Sequence, residues 1–159
     1  MKFFTGIYAL ISLIRSNLIY IAISIMIINV TLGVFFRYVL NDSLSWTEEL
    51  ARYLMVWFAL LGMSLAMRDN EHVSVSYFLG KMRASVVFKL KIINYILVII
   101  FLFLLLKYSI GHLKVVKMQT SPSIGIPMYL PYSAISIGSF LMIIECIRHL
   151  YQHLFNRSR

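Results

Sequence analysis

No residue between Leu18 and Phe36 carries a charge, and most are apolar. At a rise of about 1.5 Å per residue, a helix of that run reaches across a hydrocarbon core about 30 Å thick. Lipid offers no hydrogen bonds, so a lone segment crossing it must pair its own amides and carbonyls, which a helix does. Arg37 and Tyr38 close the run with a cation able to reach headgroups and an aromatic ring suited to the interface. Three more apolar runs follow, with their few charges near the ends. The second run opens near Trp46 and ends at about Met67, before Arg68-Asp69-Asn70-Glu71. The third occupies about Val86 to Tyr108, with Lys89, Lys91 and Lys107 near its ends, and the fourth runs from around Met128 to Cys146 or beyond. Asn41-Asp42-Ser43 signals a turn, and Pro127 and Pro131 stand where the first turn of a helix tolerates a missing amide donor.

With 60% apolar residues in a chain of 159, a soluble interior is too small to hide the apolar surface. The expected fold is an all-α membrane protein: one domain over 1–159, with antiparallel spans at about 18–39, 46–67, 86–108 and 128–150. Two short amphipathic helices are expected on the membrane surface. Phe4, Ile7, Tyr8, Ile11 and Ile14 recur at helical spacing, giving one over about 3–15, with an extension of the first span as the alternative. Val75, Phe78, Leu79 and Met82, beside Lys81 and Arg83, give the other over about 74–84. Arg15 interrupts the first apolar stretch and no small-residue cleavage site follows, which argues against a signal peptide.

The basic residues orient the chain. With a cytoplasmic N-terminus, the inner segments hold Lys2, Arg15, Arg68, Lys81, Arg83, Lys89, Lys91, Arg148, Arg157 and Arg159. The outer side holds Arg37, Arg52, Lys107, Lys114 and Lys117, so both termini are expected in the cytoplasm. The net charge of +9 thus reads as headgroup anchoring, and no nucleic-acid partner is expected. Cys146 is the only cysteine, which excludes an intrachain disulfide and suits a small core residue.

The densest polar cluster opens the second span: Trp46, Thr47, Glu48, Glu49, Arg52 and Tyr53. Glu48 precedes Arg52 by four residues, the favourable order on one helical face, and Glu49 points about 100° away toward the expected position of Arg37. Such a cluster reads as an ionic staple or a subunit contact, with a proton or sodium site as the functional alternative. Glu145 with Arg148 and His149 reads as a local pair near the fourth span's inner end. His149 and His153 are four apart without a Cys or acid to complete a ligand set, and His72 and His112 belong to opposite membrane faces, so no metal or haem site is expected. No nucleophile arrangement or phosphate loop is present, and the expectation is no enzyme and no cofactor in this chain. Uncharged interiors in spans one and three, and in span two from Tyr53 to Met67, argue against a pathway for ions or solutes.

Arg37-Tyr38, then Trp46, Glu48, Glu49, Arg52, Tyr53 and Trp57, then Gly62, Arg68 and His72-Val73 resemble the small membrane subunit (Q-type, DctQ-like) of tripartite ATP-independent periplasmic, or TRAP, transporters. The approach to span four, Ser123-Ile124-Gly125-Ile126-Pro127 onward to Pro131, is similar to the same family and departs from it at Ser136, where another proline is expected. The resemblance implies an inner-membrane scaffold for a large elevator-type membrane subunit, fed by a soluble periplasmic binding protein. It implies sodium-coupled uptake of an organic acid, sialic acid or a C4-dicarboxylate, with sodium and solute bound on the partner. Arg37, Trp46, Glu48, Glu49, Arg52, Tyr53 and Trp57 become candidates for structural or subunit contacts, and Lys114 and Lys117 for docking the binding protein. The competing function is a stand-alone exporter or channel acting as a homo-oligomer, which would depend on Glu48 or Glu49.

Overall fold

The computed structural model describes residues 2–68 and 83–155, apart from the side chains of residues 2–10 and of Ala84. Four helices make it up: α1 (Lys2–Tyr38), α2 (Ser45–Arg68), α3 (Ala84–Val116) and α4 (Tyr129–Phe155). Each contains a segment long and apolar enough to cross a membrane, as the all-α membrane architecture requires.

α1 runs through Arg15 without a break, so residues 3–15 are joined to the first span rather than forming a separate surface helix. No proline interrupts the sequence there, and Arg15 has partners inside the bundle that remove the need for a headgroup-facing break. The second expected surface helix, over about 74–84, falls mostly outside the described residues, including Val75, Phe78, Leu79, Lys81 and Met82. Its last two residues are the N-cap Arg83 and the first residue of α3.

The helices pack as neighbours in the order α1–α2–α4–α3, with α4 between α2 and α3. On α3 the less exposed positions Phe88, Ile92, Tyr95, Ile99, Leu102, Leu106, Ser109, Leu113 and Val116 alternate by four and three. That spacing keeps one seam facing a neighbouring helix along its whole length. The core lies where three helices meet: Met67 of α2, Leu102 of α3, and Met142 and Cys146 of α4, edged by Leu60, Tyr95, Val98, Ile99 and Ile143. Cys146 is fully buried, as its apolar surroundings suggested.

Two glycines set the helix separations. A Cβ on Gly138 would stand 2.7 Å from the Leu60 Cβ, and one on Gly33 would stand 2.8 Å from the Thr47 hydroxyl oxygen. Close approach of α2 to α4 and of α1 to α2 depends on their absence, as at small-residue crossings generally. Outward, α1 and α3 expose large apolar side chains along their length, among them Ile21, Ile28, Leu97 and Phe101. Lipid is the solvent that accepts such faces.

Candidate functional site

Polar side chains gather at both ends of this apolar bundle. One end holds the α1–α2 turn and the loop between α3 and α4; the other holds Arg15, the C-terminus of α2 and the last turns of α4.

At the loop end, the backbone carbonyl of Thr47 accepts from the Asn29 amide of α1 at 2.6 Å, and the Thr47 hydroxyl donates to the Leu44 carbonyl at 2.7 Å. Arg37 pairs with Glu48, and both are largely exposed. Glu49, one residue on and 3% exposed, turns inward. Its Oε1 accepts the Tyr53 hydroxyl at 2.5 Å, and its Oε2 accepts the backbone amides of Ser123 at 2.9 Å and Ile124 at 3.2 Å. Those amides belong to a loop closed on itself by the Thr120–Pro127 bridge and by the Ser121 amide donating to the Ile126 carbonyl at 2.8 Å. A buried carboxylate needs several donors to replace water, and here the loop and Tyr53 provide them.

The expected pairing is therefore corrected: Arg37 meets Glu48 rather than Glu49, and Arg52 is exposed while Glu48 turns to Arg37. The short turn after Tyr38 lays Arg37 over the exposed side of α2, leaving Glu49 for the loop. Trp46 is exposed and Trp57 half-buried on the same helix. Lys114 and Lys117 are exposed at this end, next to Met118, which is 95% exposed.

At the opposite end, Arg15 of α1 and Glu145 of α4 meet at 3.0 Å, 3% and 2% exposed. Arg15 also donates to the Ser64 hydroxyl of α2 at 3.3 Å, so one guanidinium touches α2 and α4 together. Arg148 holds the second Glu145 oxygen at 3.1 Å, the local pair expected from their spacing. Arg68 donates to Ser12, a second tie between α1 and α2. The last carbonyls of α2, which a helix leaves without internal donors, are capped from α4: Arg148 donates to the Arg68 carbonyl at 2.8 Å and His149 Nε2 to the Met67 carbonyl at 2.8 Å. Arg15 was expected at the headgroups; burial beside Glu145 replaces that reading. The two are 130 residues apart, and the available signal was a lone cation and a lone acid at the same end of two antiparallel helices.

His153 stacks on Phe88 with ring centroids 4.7 Å apart, while His112 meets the edge of Tyr132 at 5.0 Å at the other end. These imidazoles line the α3–α4 seam. Among the described residues no three His, Cys, Asp or Glu side chains gather where a metal would need them. The three glutamates within the spans, Glu48, Glu49 and Glu145, are all engaged by groups of this chain. The arrangement ties helices to each other and to a loop.

Residues 26–156 match the family described as tripartite ATP-independent periplasmic transporters, DctQ component. A Haemophilus influenzae chain whose name places it among TRAP transporter small permeases is 33% identical over 84% of this chain and 83% of its own length. The sialic acid TRAP transporter small permease protein SiaQ of Vibrio cholerae is 38% identical over 35% of each chain. The isethionate TRAP transporter permease protein DctMQ of Oleidesulfovibrio alaskensis is 27% identical over 66% of this chain, a match covering 17% of that longer protein. The match spans most of the chain and all four helices, and the chain belongs to the DctQ component family: it is a small permease subunit of a TRAP transporter, a multi-pass protein of the inner membrane.

Proposed function

We propose that this subunit is the stationary scaffold beside a large membrane subunit that carries a small organic acid, sialic acid or a C4-dicarboxylate, inward together with sodium by an elevator motion. A periplasmic binding protein delivers the solute, and sodium and solute bind on the large subunit. The observation that carries the reading is the engagement of Glu48, Glu49 and Glu145 by donors of the chain itself. A conduit for ions keeps an ionisable group near the midplane available to its cargo. A scaffold uses such groups to fix helices. Relatives named for sialic acid and for isethionate each match part of this chain, which fits a part that does not select the solute.

In this reading both termini face the cytoplasm, and Lys114, Lys117 and Met118 stand on the outer side, where an acidic surface of the binding protein would meet them. The test is co-expression with the large subunit. The pair should co-purify from membranes, and sodium-driven uptake in proteoliposomes should need both chains. Full uptake by the large subunit alone would remove the scaffold role. Reversing both lysines, Lys114→Glu with Lys117→Glu, should lower uptake at low ionic strength and flatten its salt dependence. Unchanged uptake and salt dependence would remove the docking role.

A further inference from the structure

We infer that the outward side of α3 centred on Asn94 is where a transmembrane helix of the large permease subunit docks, exchanging a hydrogen bond with the Asn94 amide. The inference rests on the proposed scaffold function and adds to it the surface used.

Several polar side chains of the spans find partners within this chain. Asn29 reaches the Thr47 carbonyl, Ser24 and Thr31 bond to carbonyls of their own helix, and Ser109 meets Ser136 at 2.6 Å. Asn94 differs from these: it is exposed, and its side-chain amide bonds to none of the described residues. It lies in the charge-free run between Lys91 and Lys107, one turn, or about 4.5 Å of helix rise, inward of Lys91. A lysine there reaches back to the headgroups along its long stem, whereas the single methylene of Asn94 does not. An amide left against acyl chains loses its hydrogen bonds with water and gains none.

The residues around Asn94 form a second seam. Leu90, Leu97, Phe101, Leu104 and Tyr108 are exposed and continue the alternation by four and three on the side of α3 turned away from α4. Gly111 extends it with nothing within 4 Å of where its Cβ would lie. One amide in an otherwise apolar seam is how helices fix their register against each other in a membrane. α3 stands at one end of the row, so this side is open to another protein. The large subunit is the occupant favoured, because in the Oleidesulfovibrio alaskensis relative the matched region is 17% of a single chain. There the matched region and a far larger remainder belong to one polypeptide.

The experiment uses the co-expressed complex in native membranes, with a photo-crosslinking phenylalanine analogue placed singly at positions 97 and 101 of the seam, and at 96 and 103 as controls. Ile96 and Phe103 are exposed too, on another flank of α3. Expected are adducts of the combined mass of small and large subunits from 97 and 101, and none from 96 and 103. An adduct of twice the mass of this chain, or adducts with lipid alone, would overturn the inference. Asn94→Leu should lower retention of the large subunit on detergent challenge by roughly three- to tenfold, with Asn94→Gln retaining it; equal retention by Asn94→Leu would also overturn it. The unsubstituted pair separates the two claims. If it co-purifies while the seam stays silent, the scaffold stands and the docking surface falls; if it never co-purifies, both fall.

Discussion

Arg15 and Glu145 show how far the fold of this chain is decided by single side chains. A charge buried in a membrane bundle is tolerated only with its counter-charge in place, and removing one partner of such a pair costs about 3–5 kcal/mol. Arg15→Ala should lower the unfolding midpoint of the purified chain in detergent accordingly. In a double-mutant cycle, Arg15→Met with Glu145→Gln should cost clearly less than the two single changes summed; additive effects would mean the contact at 3.0 Å contributes nothing. Glu49 makes a parallel case at the loop end. Glu49→Gln removes the charge that holds two loop amides, so hydrogen exchange at Ser123 and Ile124 should rise at least tenfold, while Glu48→Gln leaves both amides protected. That the span glutamates pair within the chain was legible in the sequence; which partner each takes was not. Spacing along one helix offered Arg52 to Glu48, but partners at these sites come from the end of α1, a loop and a residue 130 positions away.

Helices were the most readable scale. Charge-free runs closed by Arg37, Arg68 and Lys107 predict spans because lipid leaves a crossing segment no alternative to helix. The start of α1 was the point of divergence, since apolar residues at helical spacing before an arginine describe a surface helix and a continued span equally well. Only the partner of Arg15 decides between them. Helix separations were likewise hidden, because a glycine in a sequence does not announce what faces it. Gly138 lies against Leu60, whereas Gly111 faces open space. Gly138→Leu should therefore push α2 and α4 apart and destabilise the bundle by about 1–3 kcal/mol or more, with Gly111→Leu close to neutral for the isolated chain. Thermal unfolding of both variants checks the contrast, and equal effects would mean that the crossing is not close-packed at Gly138.

As a whole, the molecule is a row of four helices with tied ends. α4 is central, held to α3 by an unbroken seam and to α2 by a close crossing and a cap on its last carbonyls. α1, the least integrated by apolar packing on its outer sides, is fastened at both ends: by Asn29 near the loop and by Ser12 and Arg15 near the termini. A bundle fastened at both ends resists shear between its helices, which is what a stationary element beside a moving one requires. The most direct measurement is flux through this chain by itself. Purified and reconstituted into liposomes with a sodium gradient, it should move neither organic acids nor sodium, with or without Glu48 and Glu49, and transport should begin only when the large subunit and the binding protein are added. Solute or sodium movement through the single chain, abolished by Glu48→Gln or Glu49→Gln, would contradict the account.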